Sequence, residues 1–149
     1  VKPEKAVKLV GIWLDKNLMF KQQGAAALAK GHEWLVNFRR LACVTGGVGP
    51  VYVRRLYLGI CVPQMFYGAE VWLVPRQQRE KAMNRRKDGR AIVKKLASVQ
   101  LKAARLIIGG MASSLGDTAH AHADLPPMNL AIDRQLQKAA LRYARLPTM

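Results

Sequence analysis

Basic side chains, several of them in adjacent pairs, are the residues of this sequence whose types and spacing could do chemistry. The chain has 25 Lys and Arg against 9 Asp and Glu, a formal net charge of +16 over 149 residues. Guanidinium and ammonium groups bind phosphate oxygens, so this excess favours a polyanionic partner. Nucleic acid is the first partner to consider, and an anionic membrane surface is the second.

Eight basic residues are the candidates for contact with a nucleic-acid backbone. They form three pairs flanked by apolar positions and a later set of two: Arg39, Arg40, Arg54, Arg55, Lys94, Lys95, Lys102 and Arg105. On a helix, one member of each pair must face away from the core. Acids are too scarce to neutralise these groups, so phosphate contact is favoured over a merely solvated face. No base-reading motif is visible, and phosphate contacts carry no sequence information.

The acidic residues do not form a catalytic centre in the sequence. Polymerases that use two metal ions hold them with paired carboxylates, whereas here no two acids lie within three positions of each other. His120 and His122 with Asp124 could suggest a metal site, but residues two apart diverge on a helix and no further ligand is near. Cys43 and Cys61 lie among apolar residues, which indicates buried thiols. We therefore expect no catalysis by this chain alone, no metal and no cofactor.

The elements that must position these side chains are mainly helical. Length indicates about one domain, and a hydrophobic content of 50% argues against disorder. Apolar spacing predicts a short strand and then helices, with the ranges 6–14 (strand), 19–44, 50–72 (interrupted at Pro63), 91–108, 117–124 and 128–146. Gly109 and Gly110 should end the fourth of these elements, and Asp117 should cap the next. The fold class is therefore mainly α, a small bundle of four or five helices after one short β-strand.

The stretch 48–72 is expected to be the helix that the others pack around. It holds three large aromatic side chains, Phe66, Tyr67 and Trp72, and large aromatics dominate core burial. Its inward positions are predicted to be Val53, Leu56, Tyr57 and Ile60. On the last helix the predicted inward set is Leu130, Leu136, Ala139, Ala140, Tyr143 and Leu146, opposite a basic stripe of Arg134, Lys138, Arg142 and Arg145.

Four short motifs lie in order along the chain. They are Gly11–Asp15 with Leu18 and Phe20, then Arg54–Tyr57 with Val62-Pro63 and Tyr67–Trp72, then Val99-Gln100 with Ala103–Ile107, and finally Leu125–Met128. Together they resemble the reverse transcriptases of non-LTR (LINE-like) retrotransposons. In that family the first motif is a strand that leaves the polymerase palm, and the others belong to the helical thumb. Val10 departs from the pattern, because leucine is usual at that position.

The resemblance implies a domain organisation and a role. Residues 1–15 would end a palm-like strand region, and residues 16–149 would form a helical thumb-like domain with a basic loop at 73–90. The chain would grip a template–product duplex, an RNA–DNA hybrid or other duplex, through its phosphates, while the palm does the chemistry. Its partners would be nucleic acid and the rest of the parent polymerase rather than a membrane, in an intracellular location, cytoplasmic or nuclear.

Two further expectations concern the extent of the chain and a rival function. A lone strand cannot satisfy its backbone groups. It needs a palm sheet or at least a hairpin partner, and nothing else in the sequence offers one, so we expect the chain to be a fragment of a longer protein. The alternative to a polymerase segment is a free-standing basic helical module that binds nucleic acid or scaffolds other proteins.

Overall fold

The computed structural model describes residues 6–42, 47–74 and 87–146, with side chains from residue 91 onward in the last range. These residues form a small helical bundle preceded by a two-stranded antiparallel sheet. The predicted mainly α fold class is therefore confirmed. Cys43 and most of the predicted basic loop lie outside the described residues.

The elements follow one another in a simple order. They are β1 (Ala6–Leu9), β2 (Ile12–Asp15), α1 (Lys21–Leu41), α2 (Pro50–Leu56), a π-helical turn (Tyr57–Cys61), α3 (Val62–Met65), α4 (Ala69–Trp72), α5 (Lys87–Ile108), α6 (Gly116–His122) and α7 (Met128–Ala144). Helix α5 begins at Lys87, so the predicted basic loop at 73–90 ends earlier than expected, whereas Leu73 and Val74 follow α4 outside any helix, as predicted.

The single strand predicted over 6–14 is wrong, because this segment forms a hairpin. β1 pairs antiparallel with β2, and Leu9 lies opposite Ile12, which leaves Val10 and Gly11 as a two-residue turn. Both turn residues have positive φ, 47° and 83°, the geometry that matches the twist of paired strands. The strand thus has a partner within the chain, and its backbone groups no longer argue for a missing palm strand.

The helix over residues 50–65 runs through Pro63, where we predicted a kink or a break. A proline ring clashes with the carbonyl group four residues back, here that of Gly59, and the wider π-helical turn before it accommodates that clash. The extra residue in the turn rotates the buried face by one position. Cys61 is consequently buried, whereas Ile60, which the pattern placed inward, is 42% exposed.

Helix α5, rather than the stretch 48–72, lies at the centre of the bundle. It packs against α1, α2, α6 and α7, and its residues Leu96, Val99 and Ala103 are fully buried. Phe66 and Trp72 are buried as expected. The third aromatic of that stretch, Tyr67, is half exposed, and its hydroxyl group donates a hydrogen bond to the Val10 carbonyl oxygen at 3.0 Å.

Two glycines determine how closely α1 approaches its neighbours. A Cβ atom at Gly24 would lie 2.7 Å from Ile92 Cδ1, and one at Gly31 would lie 2.7 Å from Met65 Sδ and 2.9 Å from Val99 Cγ1. Both glycines are buried, and their spacing of seven positions places them on one face of the helix. Trp34 is also buried and stacks on Phe38 with ring centroids 4.2 Å apart.

The buried face of helix α7 agrees only in part with the predicted one, since Ala139 is buried and Leu136 is half-buried as predicted. Its buried residues are Met128, Ile132 and Ala139, which recur at four and seven positions. Four residues of the predicted inward set are exposed: Leu130, Ala140, Tyr143 and Leu146. Apolar residues lie on two faces of this helix, and its packing against α4 and α5 determines which face is buried. The predicted basic stripe Arg134, Lys138, Arg142 and Arg145 is exposed as expected.

The end of α5 is correctly predicted and the cap of α6 is not. Helix α5 stops before Gly109, whose φ of 64° suits glycine at a helix end. Helix α6 begins one residue earlier than expected, so Leu115 occupies the cap position and Asp117 lies within the first turn without a capping hydrogen bond.

Candidate nucleic-acid interface

The C-terminal halves of α1 and α5 leave an open cleft between them, with a volume of about 430 Å³. We call it the basic cleft. Its lining comes from one face of α1, from α5 and from the turn that follows α5: His32, Leu35, Val36, Arg39, Lys102, Arg105, Leu106, Gly110 and Ala112. The cleft brings together three of the eight predicted phosphate-contacting residues, Arg39, Lys102 and Arg105.

Helical spacing explains why these groups converge. On α1, His32, Val36 and Arg39 recur at four and three positions, so they share one face. On α5, Lys102 and Arg105 are three apart and share a face for the same reason. The chain then turns back after α5, where the Gly110 N–H donates to the Arg105 carbonyl oxygen at 2.8 Å. That turn closes one end of the cleft.

Arg105 is held in place within the cleft wall. It is half-buried, and its Nη2 donates a hydrogen bond to the Ser114 carbonyl oxygen at 2.6 Å. Its Nε–H is buried and has no acceptor among the described residues. A guanidinium group fixed in this way loses less side-chain entropy when it binds an anion than a freely rotating one does.

The charge of the basic cleft has one sign. None of the residues that line it is Asp or Glu. The side chains of Arg39 and Lys102 are exposed at its rim, whereas Leu35 and Leu106 in its walls are half-buried. Positive groups beside low-dielectric walls concentrate the electric field and raise the local concentration of anions. The cleft is therefore suited to phosphate oxygens.

Arg54 is engaged by the fold itself. Its Nε donates to the Ala123 carbonyl oxygen at 3.1 Å, and its Nη2 donates to the Asp124 carbonyl oxygen at 2.8 Å and pairs with Asp124 Oδ2 at 2.6 Å. These carbonyl groups follow the C-terminal end of α6, where a positive charge is favourable. Most of the donors of Arg54 thus hold α6 to α2 and are not available to a phosphate.

The other four predicted residues lie outside the basic cleft. Arg40, Arg55, Lys94 and Lys95 are exposed and are not among its lining residues. The guanidinium group of Arg55 lies over the ring of Tyr52, 5.9 Å from its centroid. These side chains could extend a phosphate-binding surface along α1, α2 and α5, but the structure does not gather them at one point.

The two histidines and Asp124 do not assemble into a metal site. His120 and His122 both lie on α6, two residues apart. His120 Nδ1 donates to the Gly116 carbonyl oxygen at 2.8 Å, and Asp124 pairs with Arg54. Within the described ranges, no three His, Cys, Asp or Glu side chains come together to hold a metal ion.

Sequence reasoning missed the other residues of the basic cleft. His32 was overlooked although it lies seven positions before Arg39, a spacing that places both on one helical face. The contact between Arg105 and Ser114 carries no comparable signal, because it depends on how the chain turns after α5.

Comparison with protein-family models, curated proteins and solved structures gives no match for this chain. In the part of the chain that the structure describes, every helix is too short or too polar to span a lipid bilayer.

Proposed function

We propose that this chain is a thumb-like segment of a non-LTR-type reverse transcriptase that grips a template–product duplex by its phosphates and has no catalytic centre of its own. The observation that supports the proposal most directly is the basic cleft, where Arg39, Lys102 and Arg105 meet without a neighbouring carboxylate. The identification as a reverse transcriptase rests on the sequence motifs. The proposed role implies an intracellular location, cytoplasmic or nuclear.

Phosphate contact suits the geometry better than base reading does. Proteins hold A-form and hybrid duplexes mainly through shape and backbone contacts. Arg39 and Lys102 present exposed cationic groups at the cleft rim, and Arg105 presents one in its wall that a hydrogen bond holds in place. A duplex lying across α1 and α5 would therefore be held with little dependence on its sequence.

The N-terminal hairpin fits a segment that adjoins a larger enzyme. Val7 and Leu9 on β1 are 56% and 59% exposed. Exposed apolar strands at a sheet edge are sites where another part of a protein packs or pairs. In the proposed polymerase, the neighbouring palm would cover this surface.

The salt dependence of duplex binding tests the proposed function. Each phosphate neutralised on duplex DNA contributes about −0.9 to the slope of log affinity against log salt. With Arg54 engaged elsewhere, about four to seven contacts give an expected slope of roughly −4 to −6. The double variant Arg39→Gln/Lys102→Gln leaves the hydrogen bond of Arg105 intact and should flatten the slope by about two units.

The matched control removes the same charge from a different surface. Arg134→Gln/Lys138→Gln changes two exposed residues of α7 and should leave the slope nearly unchanged. Fluorescence anisotropy on duplex DNA and on an RNA–DNA hybrid measures both variants. Equal slopes for the two would refute the basic cleft as the contact site. No binding at low salt by a folded chain would refute the proposed function and favour the scaffold alternative.

A further inference from the structure

A second cleft lies on the opposite face of α1 from the basic cleft. It has a volume of about 390 Å³ and opens between α1 and the segment formed by the π-helical turn and α3. Its polar lining is Lys30, Glu33 and Asn37 from α1 and Gln64 from α3. We call it the amide cleft. Helical geometry separates the two faces, since Lys30, Glu33 and Asn37 lie roughly 100–180° around α1 from His32 and Arg39.

The amide groups that give this cleft its name are not used by the fold. Asn37 and Gln64 are exposed, and neither side chain makes a hydrogen bond to another residue within the described ranges. Each amide offers two N–H donors and one carbonyl acceptor. Two uncommitted amides on facing elements can therefore satisfy a ligand that carries both donors and acceptors.

The walls of the amide cleft are apolar and partly aromatic. Trp34 and Phe38 line it, with their rings stacked at an interplanar angle of 17°. Ile60 also lines it, because the π-helical turn directs this residue outward. Such turns are frequent at functional sites. The indole N–H of Trp34 is buried without an acceptor among the described residues.

We propose that the amide cleft binds one unpaired nucleobase of a single-stranded segment that adjoins the duplex. A nucleobase is planar, fits between apolar walls and carries the mixed donors and acceptors that Asn and Gln amides match, those of adenine above all. The volume is at the small end of the range for ligand sites, about 300–1,000 Å³, which suits a single base. Lys30, at the same cleft, supplies a cation for the adjoining phosphate. This inference rests on the proposed function and extends it.

Paired oligonucleotides with and without bases test the inference. Fluorescence anisotropy compares a deoxyadenosine strand of about 12 nucleotides, a usual size for single-strand sites, with an abasic strand of equal length and equal charge. The chain should bind the base-containing strand about tenfold more tightly, within the range for one base recognised by amide hydrogen bonds. Asn37→Ala/Gln64→Ala should remove this ratio and leave the abasic affinity unchanged.

The control variant removes two exposed amides elsewhere, Gln22→Ala/Gln135→Ala, and should keep the tenfold ratio. A ratio near one for the unmodified chain, or a ratio that survives in Asn37→Ala/Gln64→Ala, would overturn the inference while leaving phosphate binding intact. Failure to bind either strand at low salt, with the helical circular dichroism spectrum retained, would overturn the proposed function and this inference together.

Discussion

Replacing Gly31 with alanine should destabilise the protein, although alanine is the better helix former. A Cβ atom at this position would lie 2.7 Å from Met65 Sδ and 2.9 Å from Val99 Cγ1. Both neighbours are fully buried, with 0% and 1% of their surface exposed. Met65 can move its sulfur at the cost of its packing, but Val99 is β-branched and is held within α5. The added methyl group must therefore push α1 away from α5.

The magnitude follows from two opposing effects. Alanine gains about 1 kcal/mol over glycine in a helix interior, whereas an extra methyl group in a packed core costs about 1–3 kcal/mol. We expect Gly31→Ala to lower the free energy of unfolding by about 1 kcal/mol. Gly59 provides the control, because it lies on the exposed side of the π-helical turn with no atom within 4 Å of an added Cβ. Gly59→Ala should raise stability by about 0.5–1 kcal/mol.

Urea unfolding followed by circular dichroism measures both variants against the unmodified chain. The two should differ by about 2 kcal/mol with unchanged m-values. If Gly31→Ala proved as stable as Gly59→Ala, the close approach of α1 to α5 would be wrong. The width of the basic cleft, which lies between the same two helices, would then also be wrong.

Three further changes test the fold and its charges. Arg54→Ala should lower the free energy of unfolding by about 1.5–3 kcal/mol, because it removes charge-assisted hydrogen bonds to the end of α6. Arg55→Ala should change it by less than about 0.5 kcal/mol, and urea unfolding measures both variants. Phe66→Ala and Trp72→Ala should each lower the free energy of unfolding by about 3–5 kcal/mol, because each removes a large side chain from the core. A decrease below about 1 kcal/mol in urea unfolding would contradict the burial of these side chains. Burial raises the pKa of the Cys61 thiol to about 12, so the free energy of unfolding should fall as pH rises from about 9 toward 12, because only the unfolded chain loses this proton readily. Cys61→Ala should weaken that pH dependence.

The spacing of apolar residues predicts a helix best where these residues all lie on one face. In α5 the positions Leu96, Val99 and Ala103 all face the bundle centre, and the sequence offers no competing face. Helix α7 is different, since apolar residues lie on two of its faces and only its neighbours decide between them. A local sequence pattern predicts the buried face of a helix only when the helix has a single apolar face. In α7, tertiary packing decides which of the two faces is buried.

The hairpin and the π-helical turn could not be predicted for local reasons. A two-residue hairpin turn is usually signalled by Asn-Gly or Asp-Gly, and Val10-Gly11 offers only the glycine. Proline normally predicts a helix break, but at Pro63 a wider turn absorbs the clash instead. The hairpin and the π-helical turn are both exceptions to rules that hold for most sequences. The neighbouring residues do not indicate either exception.

The candidate site was likewise predicted only in part from the sequence. Composition identified basic residues as the chemistry of this chain, and spacing placed each on a helix. Their convergence depends on contacts between distant segments. Arg39 meets Lys102 because Gly24 and Gly31 let α1 pack closely on α5. Arg54 is engaged by Asp124, seventy residues away, a partner that nothing near Arg54 in the sequence indicates.

The placement of the scarce acids is what distinguishes the basic cleft from an ordinary charged surface. Asp15 accepts a hydrogen bond from the Phe20 N–H at 2.9 Å, Asp124 pairs with Arg54, and Glu70 pairs with Arg142 at 3.3 Å. These carboxylates stabilise other parts of the fold and leave the cations of the basic cleft uncompensated. Repulsion among its cations destabilises the free protein, so any polyanion that binds there should raise the stability of the folded chain. A surface of evenly mixed charges would gain little from the same ligand.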